Sequence, residues 1–128
     1  MIQAHVQFGK GKINQEIQIG THSLLSDELL ELGGDNSGPS PHDYLAAALG
    51  ACTGMTLRMY AAHKKWPLDD VDLTVTLFKD ETGAHFLREL KLVGALDETQ
   101  RQRLLEIANK CPVHLTLSGK IEIKTTLI

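Results

Sequence analysis

Ile2, Ala4, Val6 and Phe8 alternate with Gln3, His5 and Gln7 at the start of the chain, which is the two-residue period of a half-buried strand. Gly9 to Gly11 make a turn, and Ile13, Ile17 and Ile19 carry a second strand, so a hairpin is predicted. Residues 22–29 add a short third strand, and the polar, glycine-rich stretch GGDNSGPS leads into a helix that runs to about Lys64 before Trp66 and Pro67 end it. VDLTVTLF alternates again through Val71, Leu73, Val75 and Leu77; KDETGAH turns, and FLRELKLVG returns as its partner strand. DETQRQRLLEIANK reads as an amphipathic helix capped by Asp97, CPVHLTLSG interrupts, and KIEIKTTLI predicts a closing strand. The order βββ–α–ββ–α–β predicts a single α+β domain over residues 1–128, with an antiparallel sheet wrapped on a long central helix.

The central helix begins at Ser40-Pro41-His42-Asp43. Ser40 suits the cap, Pro41 the first helical position, and Asp43 completes a variant of the capping box. At about 100° per residue, Leu45, Leu49, Cys52, Thr56 and Met59 share one face; Asp43, Ala47, Gly50, Gly54, Arg58 and Ala61 share the opposite one. Each glycine costs about 1 kcal/mol against alanine inside a helix. Close packing would offset that cost, against either the same helix of a second subunit or this chain's own sheet. Asp43, nine residues before Cys52, points about 180° away and sits roughly 13 Å along the axis. The two can cooperate only across a subunit boundary; otherwise Asp43 is a cap.

Composition narrows the function classes. The 128 residues carry 13 Lys and Arg against 16 Asp and Glu, a net charge of −3, and the cations form no block. Nucleic acid and anionic membrane surfaces are therefore not the expected partners. Met1 leads straight into the alternating pattern, no long apolar run follows, and two cysteines are too few for a disulfide scaffold. A cytoplasmic location is expected.

Those two cysteines are the candidate chemistry. Buried free cysteine is commonly an inert apolar residue, and Cys52 lies too deep in its helix for the N-terminal dipole, so activating it needs a cation from another element. Cys111 precedes Pro112, which disfavours helical geometry at Cys111 and lets Pro112 open a short helix, an environment that lowers a thiol pKa. Together, two thiols distant in sequence and close in space can reduce a peroxide without a cofactor. One becomes a sulfenic acid, and the other condenses with it to a disulfide that a reductant reopens. Metal binding competes, because Cys111-Pro-Val-His114 resembles half a zinc site, although the other ligands would have to be Cys52 and scattered histidines. His42, His63 and His85 read as solvent-edge or turn residues.

GPSPHDYLAAALGACTGM followed by CPVH resembles the OsmC/Ohr family of osmotically induced and organic hydroperoxide resistance proteins, and the likeness covers nearly the whole chain. The resemblance implies an intertwined homodimer with active sites at the subunit interface. It implies that Cys52 is the peroxidatic thiol and Cys111 the resolving one, that a dithiol or lipoyl-type reductant restores them, and that Asp43 shares in the site. Family peroxidases hold the thiolate with an arginine from the N-terminal strands, paired with a glutamate early in the helix. Here no arginine precedes Arg58, the first strands offer only Lys10 and Lys12, and Asp43 stands in the glutamate's region. Arg58 and Arg88 are the other candidate cations. The pattern is closer to the OsmC-like branch than to the dedicated hydroperoxide reductases. Two functions stay open: a thiol peroxidase in oxidative and osmotic stress defence, or a non-peroxidase that binds an apolar small molecule at the interface with structural or redox-sensing thiols.

Overall fold

In the computed structural model, which describes residues 1–128, the chain is α+β and divides into two units, Met1–Leu45 and Ala46–Ile128.

In the first unit the opening alternation folds as a three-stranded antiparallel sheet in the order β1 (His5–Phe8), β2 (Gln15–Ile19), β3 (His22–Ser26). Pairing begins at His5, opposite Gln18, so β1 starts three residues later than the alternation from Ile2 predicts. Gly20, with φ of 58°, takes the left-handed conformation that the tight β2–β3 turn requires. The third strand stops at Ser26 because Asp27 turns inward. Its buried carboxylate accepts hydrogen bonds from the Glu28, Asp35 and Ser37 amides and from Ser37 Oγ at 2.6–3.1 Å. Those bonds, led by the Ser37 hydroxyl and amide, hold its pKa down at about 2 and fix the glycine-rich loop. The long helix α1 (Pro41–Lys64) then starts with a complete capping box. The Asp43 amide donates to Ser40 Oγ at 3.1 Å, and the Ser40 amide donates to Asp43 Oδ2 at 2.9 Å.

In the second unit, β4 (Asp70–Asp80) and β5 (Gly83–Val93) form a long antiparallel hairpin in a separate sheet, with Asp70 opposite Val93 and Asp80 opposite Gly83. α2 (Glu98–Ala108) carries the capping box of Asp97 and Gln100, and α3 (Pro112–Ser118) starts with its proline in the first position and Cys111 as its cap. Leu57, Leu104, Ile107 and Ala108 form the buried core, with Tyr60, Trp66, Val71 and Leu90 packed around them. No helix is long and apolar enough to cross a membrane.

Three expectations change. The strands divide between two sheets rather than forming one. The glycine face of α1 meets β4: a Cβ added at Gly50 would lie 3.4 Å from Val75, and one at Gly54 would lie 3.7 Å from Leu73. Residues 120–128 form no strand. Their alternation is intact, but no strand edge of this chain pairs with it, and Ile121 and Ile123 stay 56% and 85% exposed.

Candidate functional site

α1 presents Cys52 half-buried, and the break between α2 and α3 presents Cys111 fully buried. Pro112 lacks an N–H to donate, and the next two amides each take one sulfur. Val113 N–H donates to Cys52 Sγ and His114 N–H to Cys111 Sγ, both at 3.4 Å. The thiols are thus neighbours across 59 positions of sequence (111 − 52), and both are free.

Arg88 reaches them from β5. Its Nη1 donates to Thr53 Oγ1 at 2.9 Å and approaches Cys111 Sγ at 3.9 Å, while its Nη2 meets Asn109 Oδ1 at 3.0 Å and His114 Nδ1 at 3.1 Å. The fork therefore ties α1, the α2–α3 junction and α3 to one side chain. A guanidinium only donates, so His114 Nδ1 must be the lone-pair nitrogen and the ring is neutral, with its proton on Nε2. Thr53 is fully buried; its hydroxyl donates to Leu49 C=O at 2.7 Å and lies 3.7 Å from Cys111 Sγ.

Burial by itself would push the Cys111 thiol up. The His114 amide, Thr53, a hydrogen bond with Cys52 and the charge of Arg88 outweigh it, and the Cys111 pKa lies below the ordinary thiol value. Beside the cluster opens a cavity of about 380 Å³, with Leu49, Phe86 and Leu117 as apolar lining and Arg88 and His114 on its wall.

The candidate cations separate. Arg88 contacts the thiol cluster. Lys12 sits 3.8 Å from Asp35 in an exposed pair within the first unit, and Arg58 is exposed beside a different cavity, with Asp69 and Asp70. Asp43 is held in the α1 cap by Ser40. Cys111 and His114, spaced like half a zinc site, both engage Arg88 instead, and no three His, Cys, Asp or Glu side chains are grouped as a metal would need. Sequence reasoning did not single out Thr53 or Asn109. The signal for Arg88 was in the strand: Phe86, Arg88, Leu90 and Leu92 share its inward face, and a charge there needs a buried reason.

A family model described as OsmC-like protein matches residues 34–126. No curated protein matches the chain. Solved structures do. An organic hydroperoxide resistance protein OsmC from Legionella pneumophila is 26% identical, with a TM-score of 0.67 over 93% of this chain and 90% of that one. An OsmC-like protein from Mycoplasma pneumoniae is 16% identical, with a TM-score of 0.79 over 93% of this chain and 88% of that one. The organic hydroperoxide resistance protein OhrB of Bacillus subtilis is 22% identical, with a TM-score of 0.64 over 97% of this chain and 95% of that one. With the family model spanning most of its length and the fold shared with these structures, the chain belongs to the OsmC-like protein family.

Proposed function

We propose that the chain is a thiol peroxidase that reduces organic hydroperoxides through Cys52 and Cys111 and is recycled by a dithiol reductant, in oxidative and osmotic stress defence in the cytoplasm. The observation that carries this reading is the meeting of two free thiols on consecutive amides beside Arg88. Half-buried Cys52 is the sulfur open to substrate and fully buried Cys111 the one behind it. Attack by Cys52 on the hydroperoxide gives a sulfenic acid and an alcohol, and Cys111 then closes a disulfide that a dithiol or lipoyl-type reductant reopens by exchange. Arg88 takes the part of the arginine that the first strands lack. A homodimer fits the bare apolar surface, where Met55 and Met59 on α1 are 65% and 72% exposed. Asp43 would share the site only by way of a second copy.

Consumption of cumene hydroperoxide with dithiothreitol as reductant tests the reading. The wild type turns over, Cys52→Ser abolishes turnover, and one equivalent of hydroperoxide leaves a Cys52–Cys111 disulfide visible by mass. Unchanged turnover in Cys52→Ser refutes the mechanism. The second reading, a protein that binds an apolar small molecule, draws on the 380 Å³ cavity; it gains if neither turnover nor the disulfide is found.

A further inference from the structure

The two sulfurs are held unequally. The one hydrogen bond from a protein amide that Cys52 Sγ accepts comes from Val113, at 3.4 Å. Cys111 Sγ accepts from the His114 amide at 3.4 Å, faces Arg88 Nη1 at 3.9 Å, and has Thr53 Oγ1 and the Cys52 thiol as further neighbours. Its titratable neighbours are Cys52 from α1, Arg88 from β5 and His114 from α3, the last a neutral ring for the reason given above.

Arg88 has no carboxylate partner. Its contacts are Thr53, Asn109, His114 and Cys111. Of those four, the first two cannot ionise and neutral His114 only accepts, so Cys111 is the one contact able to supply a counter-charge. A half-buried guanidinium without an anion is costly, and a thiolate at Cys111 removes that cost. The Cys52 S–H then has an acceptor in Cys111.

Resting on the peroxidase reading for its final steps, we propose that in the reduced protein Cys111 holds the negative charge and Cys52 the proton, and that Cys111 is the base that frees Cys52 to attack. The Cys52 proton passes to Cys111. The Cys52 thiolate attacks the terminal hydroperoxide oxygen, so that an S–O bond forms as the O–O bond breaks. The alkoxide takes the proton back from Cys111 and leaves as the alcohol. Cys52 is now a sulfenic acid and Cys111 again a thiolate, which attacks the Cys52 sulfur and displaces hydroxide, protonated by solvent. Two electrons pass from the sulfur pair to the hydroperoxide, and no other oxidant is needed. Cys111 therefore serves first as proton acceptor and then as resolving nucleophile.

The test titrates thiolate absorbance at 240 nm in the reduced wild type, Cys52→Ser and Cys111→Ser; serine at 111 keeps an acceptor for the His114 amide and so the cap. The step below the ordinary thiol range is retained in Cys52→Ser and lost in Cys111→Ser. Retention in Cys111→Ser, or identical titrations in the two variants, overturns the assignment. Alkylation of Cys52 by iodoacetamide at pH 7, read by mass at that site, tests the base. It slows on the order of tenfold in Cys111→Ser, the equivalent of one pK unit of lost assistance; equal rates overturn the proton transfer. Neither measurement uses a hydroperoxide, so absence of turnover counts against the peroxidase reading alone.

Discussion

Arg88→Met keeps a long apolar stem in place and removes the guanidinium. Two unit charges 3.9 Å apart, the Arg88 Nη1 to Cys111 Sγ distance, interact by about 4 kcal/mol at an effective dielectric near 20. Arg88 is half-buried, so solvent screens its outer side, and we take about 1–2 kcal/mol as the part lost. That is a factor of roughly 5 to 30 in thiolate population at neutral pH. The substitution also leaves fully buried Thr53 without the donor at 2.9 Å. It removes the hydrogen bonds to Asn109 and His114, each worth about 0.5–1.5 kcal/mol net. A lower melting temperature should accompany the loss.

The assays are thiolate absorbance against pH and hydroperoxide turnover, with Arg88→Lys beside Arg88→Met. Lysine keeps the charge without the planar fork, so it should recover part of the thiolate while still loosening the α2–α3 junction. The sign of the linkage adds a check. Cys111 has its pKa lowered in the folded state, so the unfolded chain binds more protons between the folded value and the ordinary thiol value of about 8.5. Stability of the reduced protein therefore rises with pH through that window, and Arg88→Met should flatten the rise. Turnover within twofold of wild type, with an unchanged thiolate titration in Arg88→Met, would refute the role given to Arg88.

Two further outcomes follow from the rest of the fold. The Asp27 pKa of about 2 lies below its ordinary value of 3.8, so the stability it gives the glycine-rich loop is present above that ordinary value and is lost as pH falls through the folded one. Protection of the Asp35 and Ser37 amides against hydrogen exchange should fall in that window and be low at all pH in Asp27→Asn; constant protection down to pH 2 in the wild type counts against this. Gly54→Ala places a Cβ in ordinary contact, 3.7 Å from Leu73, and gains about 1 kcal/mol of helix propensity. The melting temperature should rise by a few degrees, whereas a fall together with loss of oligomer would mean that a second copy's backbone lies against that face.

What could be read from the sequence was local. Ser40, Pro41 and Asp43 mark the α1 start, Asp97 and Gln100 cap α2, and Pro112 opens α3, because each signal and its partner lie within four residues. The Gly20 turn and the β4–β5 hairpin are legible for the same reason. Pairings between distant segments were not. Alternation in KIEIKTTLI gives a strand its faces but not a neighbour, and β-pairing is completed by an edge supplied from elsewhere. Asp27 was hidden for a related reason: as part of residues 22–29 it reads as a polar position of a strand, and only its four donors identify it as the anchor of the loop. Thr53 looks like an ordinary helix residue until its hydroxyl is found between Leu49, Arg88 and Cys111.

The arrangement around Cys111 also bears on how the pair would be recycled. As a thiolate, Cys111 answers the charge of Arg88 and accepts from the His114 amide. In a Cys52–Cys111 disulfide the same sulfur is neutral, and both interactions lose their charge-assisted part. Whatever stabilises the reduced thiolate selectively makes the disulfide the better oxidant, by about 30 mV for each 1.4 kcal/mol. The 1–2 kcal/mol assigned above to Arg88 thus corresponds to roughly 20–45 mV, a push toward reduction by a dithiol. One arginine on the inward face of β5 would then act at both ends of the cycle, holding the charge that lets Cys52 attack and making the product disulfide easier to reopen. An arginine limited to tethering the α2–α3 junction would do neither, so the two effects should disappear together in Arg88→Met and return together, in part, in Arg88→Lys.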